Sequence, residues 1–280
     1  MARAQGALPV PASEAAAIAA RLDEVRWRVA DAAARVGRSP RSVTIVAVSK
    51  SFSAEHVCWA LQAGQADFGE SRAQEFKRKA LAAPQGLRWH FVGQLQRNKV
   101  REVVGLAGLI HSVDRAELAQ AIAERAWRAQ RVQQVLVQVN VGDDPAKGGC
   151  DPHDVFGLLA AVRQLDGIAC QGLMTVPPLE GDPRPVFRRL ANLRDEARAT
   201  WAEVQHLSMG MSSDFEIAVE EGATIIRLGE AVFGPRLPGG RGESPHAPGG
   251  RGESPHAPEG RGSSLQPGAL GFTPKTGASE

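Results

Sequence analysis

Eight predicted strands, each separated from the next by a helical or loop–helix segment over roughly 200 residues, predict an α/β protein built as a closed (β/α)8 TIM barrel in a single domain. The first run, Val43-Thr44-Ile45-Val46-Ala47-Val48, carries no charge and does not alternate in polarity, as expected of a parallel strand buried on both faces. No Gly-x-Gly-x-x-Gly follows it, which removes the main sequence support for an open, doubly wound sheet.

The elements follow in order. Ser13 reads as the N-cap of an amphipathic helix whose apolar residues Ile18, Leu22, Val25 and Val29 recur at helical spacing, and Gly37 stops it. The Lys50 strand, Val43–Lys50, is followed by a helix carrying Val57 and Leu61. Strands are then predicted at Ala66–Glu70, Leu87–Gly93, Gly108–Val113, Gln134–Val141, Ile168–Met174, Gln205–Met209 and Thr224–Leu228. Between them fall helices at Ala73–Ala80, Ala116–Ala129 (capped by Asp114), Pro152–Leu165 and Pro185–Trp201. Trp59, Trp127 and Trp201 sit in helices and read as packing residues of the outer ring.

Composition narrows the class. A 280-residue chain with 43% hydrophobic residues and a net charge of +2 gives no reason to expect nucleic acid or a membrane surface as partner. No apolar run is long enough to span a bilayer, and Ser13 and Glu14 interrupt the N-terminal alanines where a secretory signal would need an apolar core. Cys58, Cys150 and Cys170 form no CxxC pair, so a reduced, cytoplasmic home is expected. Residues 1–10 read as a flexible lead-in and 11–236 as the barrel. From Leu237 a Gly/Pro-rich unit repeats at ten residues, and residues 237–280 are expected to be a disordered tail, with His246 and His256 recurring only because the unit does.

The chemistry is expected at the carboxyl ends of the strands. Lys50 closes the first strand, on the same face as Thr44, Val46 and Val48, where partial desolvation favours the free amine that attacks carbonyl carbon. The segments Ser208–Asp214 and Arg227–Gly234 follow the seventh and eighth strands, the usual phosphate position of this fold. Small residues at Gly210, Ser212 and Gly229 let backbone N–H groups approach an anion. A carbonyl-trapping lysine beside a phosphate cup points to pyridoxal phosphate or to a phosphorylated carbonyl substrate. Asp67 and Glu70 are expected to cap helices or meet arginines, and His111 and His206 to line the core or pocket. Lys147, in the loop Gly142–Gly149, reads as exposed.

Several stretches resemble one family. They are Ala47-Val48-Ser49-Lys50, Trp89–Lys99, Gly172-Leu173-Met174-Thr175, Leu207–Glu216, Gly222–Gly229 and Phe233-Gly234-Pro235-Arg236. Over residues 12–236 the chain resembles the pyridoxal phosphate homeostasis proteins, relatives of the barrel domain of alanine racemase. The resemblance implies that Lys50 holds the cofactor as a Schiff base. It implies that Ser208, Gly210, Ser212 and Gly229 surround the phosphate with Thr224 nearby, that Arg227 faces the pyridine nitrogen, and that His90 and Met174 line the ring pocket. Ser71 stands where the family commonly has an asparagine that reaches the cofactor.

The function so implied is intracellular storage or delivery of pyridoxal phosphate by a non-catalytic monomer, with apo-enzymes as recipients. The alternatives are a pyridoxal phosphate-dependent racemase or decarboxylase of the alanine racemase type, and an aldolase using Lys50 on a phosphosugar. Against the racemase stands the absence of any tyrosine, since the racemases use one on the face of the substrate opposite the lysine.

Overall fold

The computed structural model describes residues 13–235; the lead-in expected at 1–10 and the tail expected at 237–280, with its two histidines, lie outside the described residues. Eight strands form a closed barrel in sequence order: β1 Thr44–Val48, β2 Asp67–Glu70, β3 Arg88–Phe91, β4 Leu109–Val113, β5 Gln133–Gln138, β6 Ile168–Met174, β7 His206–Ser208 and β8 Ile225–Leu228. Every pairing is parallel, and β1 closes the ring on β8 from Thr44↔Ile225 to Ala47↔Leu228. The helices are α1 Glu14–Arg35, α2 Ala54–Gln62, α3 Ala73–Ala82, α4 Val100–Val103, α5 Ala116–Arg128, α6 Val155–Arg163, α7 Arg184–Thr200, α8 Phe215–Glu220 and α9 Glu230–Phe233. None of the described helices is long and apolar enough to cross a membrane.

Local chemistry explains the elements. Ser13 caps α1 by accepting the Ala16 N–H (3.2 Å), and Ile18, Leu22, Val25 and Val29 are buried along one stripe. Strand residues alternate between two environments. Val46, Leu109, Leu136, Met174 and Ile225 form a small apolar cluster inside the barrel. Ala47, Phe68, Phe91, Ile110, Val135, Val137 and Leu173 belong to the larger core shared with the helices. Trp59 and Trp201 pack against that core, whereas Trp127 is 65% exposed and does not serve as the packing residue its place in the helix suggested.

Two further expectations are corrected. Asp114 does not cap α5: the N-cap is Arg115, with no side-chain cap bond, and the Asp114 carboxylate accepts instead from the Arg115 guanidinium. Lys50 does not ride on β1. Pairing with β2 ends at Val48↔Gly69, and after Ser49 N–H donates to Gly69 O (3.0 Å) the backbone turns, with Ser51 at φ +70°. Ser49 and Lys50 therefore lie beyond the strand, whose last residue, Val48, is also the last of the apolar run.

Candidate functional site

Lys50 lies half-buried in the turn after β1, and its neighbours are held on both sides by buried charge. Ser49 Oγ donates to Glu70 Oε1 (2.8 Å), Lys79 Nζ donates to Ser49 O (2.6 Å), and Ser51 N–H donates to Glu75 Oε1 (3.1 Å). Lys79 Nζ also bonds Glu70 Oε1 (2.5 Å) and Glu75 Oε1 (2.9 Å), so α3 and the end of β2 grip the turn through one ammonium. Burial pushes the Glu70 carboxyl up, with Lys79 pulling the other way; the Glu75 carboxyl is held down by its bonds to Lys79 and Ser51 despite desolvation. Such a clamp fixes a left-handed non-glycine residue, Ser51, that the chain would otherwise avoid.

The loops after β7 and β8 meet beside this turn. Gly210 has φ +94°, and a Cβ there would lie 2.6 Å from the Ala218 side chain, so only glycine fits. Gly210 O accepts from Arg227 N–H (3.0 Å), and Ser212 Oγ accepts from Ala231 N–H (3.2 Å) at the start of α9, tying one loop to the other. A Cβ at Gly229 would sit 3.5 Å from Val48 O, which places that loop against the end of β1. Lys50, Gly210, Ser212 and Gly229 are therefore gathered on the carboxyl-terminal face. An amine, small residues and short helices beginning there are what a phosphorylated carbonyl compound requires.

Beneath that face, charge runs down the barrel. The Arg227 guanidinium is 5% exposed and donates to Ser208 Oγ (2.7 Å) and Thr175 O (2.8 Å). Burial pushes its pKa down to about 10, opposed by Asp214, so it stays a cation at neutral pH. Ser208 Oγ bonds His111 Nδ1 (2.8 Å), His111 Nε2 bonds His90 Nδ1 (3.0 Å), and His90 Nε2 bonds Asp67 Oδ1 (3.1 Å). Asp67 is gripped in addition by Arg88 Nε (2.7 Å) and Nη2 (2.6 Å). Burial opposes the Asp67 carboxylate, but its bonds to His90 and Arg88 prevail and hold it below the ordinary range. Complete burial, with His90, Arg227 and His206 adding to it, drives the His111 pKa well down and keeps that imidazole neutral. Ser208 Oγ accepts from Arg227, which leaves its O–H to donate to Nδ1 of the neutral His111.

This wire redistributes the expected site residues. The Ser208 hydroxyl belongs to Arg227 and His111 inside the barrel and does not join the phosphate loops. His90 opens on a cavity at the amino-terminal end, away from Lys50, because its partner Leu109 is the first residue of β4. Thr224 is at the wrong end altogether. It precedes β8, where its Oγ1 accepts from Leu207 N–H (2.9 Å) and meets His206 Nδ1 (3.2 Å), and the whole strand separates it from Gly229. Met174 ends β6 within the inner apolar cluster. Ser71 follows β2 half-buried, its backbone so close to Gly93 that a Cβ there would fall 2.1 Å from Ser71 O. Lys79, Glu75, Ser49 and Thr175 are contributors that the sequence reading passed over; the only hint was that Lys79 is three residues from Phe76 and four from Glu75 on one helix.

Barrel, post-β1 lysine and paired glycine loops together define a barrel of the alanine racemase type. The sequence pattern of the alanine racemase N-terminal domain matches residues 20–237. The pyridoxal phosphate homeostasis protein of Aquifex aeolicus is 42% identical over 221 residues, 77% of this chain and 97% of that protein. That of Escherichia coli K12 is 35% identical, over 78% and 97% respectively. PipY of Synechococcus elongatus PCC7942, 36% identical, aligns over 78% of this chain and all of its own, with TM-scores of 0.71 without and 0.68 with bound pyridoxal phosphate. The chain belongs to the pyridoxal phosphate homeostasis proteins within the alanine racemase N-terminal domain family.

Proposed function

We propose that this protein binds pyridoxal phosphate, holds it as a Schiff base on Lys50, and serves in cofactor storage or delivery rather than in turnover of amino acids. The observation that carries the reading is the Lys50 turn, clamped by Lys79, Glu70 and Glu75 directly beside the joined Gly210–Ser212 and Gly229 loops. The PipY structure with bound pyridoxal phosphate supports it, as do the names of the relatives. When bound, the cofactor supplies an aldehyde for the amine and a phosphate for the loops. Lys50 would hold the aldehyde carbon, Gly210, Ser212 and Gly229 the phosphate, and Arg227 a cationic donor at the ring.

The non-catalytic part of the reading rests on proton positions. Racemisation needs an acid–base group on each side of the substrate carbon, and Lys50 serves one side. The sequence contains no tyrosine. A histidine could take that place, but His90 is engaged with His111 and Asp67 toward the opposite end of the barrel.

The test is the visible spectrum of the purified protein before and after borohydride, with the reduced adduct mapped by mass spectrometry. A yellow chromophore, lost on reduction and replaced by an adduct on Lys50, is expected. Lys50→Ala should abolish the band while moving the melting temperature little, since the side chain stands outside the strand. A protein that stays colourless with added pyridoxal phosphate, or an adduct elsewhere, sinks the binding claim. Sustained deuterium exchange at Cα of added amino acids, vanishing in Lys50→Ala, would overturn the carrier role alone.

A further inference from the structure

The interior of a (β/α)8 barrel is ordinarily filled by layers of side chains, and its chemistry lies at the carboxyl-terminal face. This barrel has in addition a cavity of about 600 Å3 at the other end, bounded by the first residues of several strands and the loop Gly105–Gly108. That volume lies within the range of small-molecule sites. The position is independent of the proposed cofactor site, since the lining contains neither Lys50 nor any residue of the loops after β7 and β8.

The walls have a definite chemistry. Two guanidinium groups reach the cavity, Arg88 and Arg131, against the single carboxylate of Asp67. Asp67 already binds Arg88 through both oxygens, so that pair is neutral as a unit. Arg131 spends one donor on Gly105 O (3.2 Å) and has no carboxylate partner among the described residues, which leaves one positive charge without compensation. His206 adds none, because burial lowers its pKa. On the strand side Gln134 also lines the cavity; its Oε1 is buried without a partner, and its NH2 group is left to donate to a guest. Leu106, Leu109 and Ile225 supply an apolar wall.

We infer that the amino-terminal cavity is a second binding site, for a small organic monocarboxylate with an apolar body. One uncompensated guanidinium matches one negative charge, and its planar fork suits a carboxylate. A doubly charged phosphate ester would keep an unpaired charge next to Asp67. The apolar body packs on Leu106 and Ile225, while the Gln134 NH2 group donates to the carboxylate.

Phenylacetate is a suitable probe, with inorganic phosphate as the comparison anion. Imidazole resonances of the 15N-labelled full chain are followed during titration, since His90 and His206 line the cavity and His111 is one hydrogen bond beyond. The expected result is saturable movement of the His90 and His206 signals by phenylacetate at a Kd of about 1 mM. Arg131→Gln should weaken binding at least about tenfold, and Gln134→Leu should weaken it less. Arg131 is exposed, so its loss leaves the barrel folded, and an unchanged His111 signal in the unliganded variant checks this. No saturable movement up to about 10 mM, or an undiminished response in Arg131→Gln, overturns the site. Phosphate binding as tightly as phenylacetate overturns the assignment to a monocarboxylate. Neither result depends on cofactor binding at Lys50.

Discussion

The two faces of the same eight strands are held by different physics. On the outer face, Phe68, Phe91, Ile110, Val135, Val137 and Leu173 meet the helices in one large apolar core, where contact is non-directional and the gain scales with buried area. On the inner face only a small apolar cluster survives, and the rest is a line of hydrogen bonds from Arg227 through Ser208, His111 and His90 to Asp67. The outer face tolerates a similar shape in place of the right one. The inner face does not, because each lost member strands a buried partner without water to replace it. Stability should therefore be set mainly from outside, and the state of the groups beneath the site from inside.

The sharpest way to break this contrast is to remove outer volume. Phe68, on β2, is fully buried against Trp89, and Phe68→Ala should cost about 3–5 kcal/mol in denaturant unfolding, whereas Phe68→Leu should cost well under half of that. Equal losses for the two variants would show that ring geometry, not area, holds the shell.

A smaller effect, of about 3 kcal/mol, is expected from Lys79→Met, which leaves the buried Glu70 carboxyl without its cation. The sign with pH distinguishes this from mere packing loss. Glu70 in the variant has a pKa raised further above its unfolded value, so folding retains a proton that the unfolded chain releases. Stability should then fall as pH rises from below about 4.5 toward neutrality. Glu70→Gln added to Lys79→Met should remove that dependence and recover part of the loss. A pH-independent defect would mean that Lys79 acts through its methylenes alone.

The same contrast explains what could be read from the sequence. The outer face and the barrel closure were legible, because apolar runs such as Val43–Val48 and Val135–Val137 report burial directly and their order with helices reports topology. The positions of Lys50, Gly210, Ser212 and Gly229 at one end followed from strand direction. What failed were statements about depth along a strand. Thr224 and Gly229 are five residues apart and looked like neighbours of one site, yet a four-residue strand of about 13 Å stands between them. His90 and Ser208 carry the right chemistry on inward-facing positions, and nothing in their own segments says that their partners are His111, Asp67 and Arg227. Lys79 was hidden among Lys77 and Arg78 on a charged helix, where only the register with Phe76 picks out the buried member.

The finest test addresses the centre of the wire. His111 is buried and held neutral, so below its ordinary pKa of 6.5 the unfolded chain takes up a proton that the folded protein refuses. The native state accordingly loses stability as pH falls below 6.5, a window set by the unfolded imidazole because the folded one titrates far lower. His206, also lowered by burial, adds to the same slope. His111→Gln keeps an amide near the Nε2 position and removes the titrating group. It should lower stability modestly at pH 8 yet flatten the decline between pH 7 and 5.5 by on the order of 1 kcal/mol. The measurement is a set of urea midpoints across that range for both proteins, with Asp67 as the internal limit: its depressed pKa contributes stability that is lost only at pH below about 3.8, outside the window. A variant whose pH profile runs parallel to the parent would show that His111 is protonated in the fold, and its bond with Ser208 would then run from Nδ1–H to Oγ.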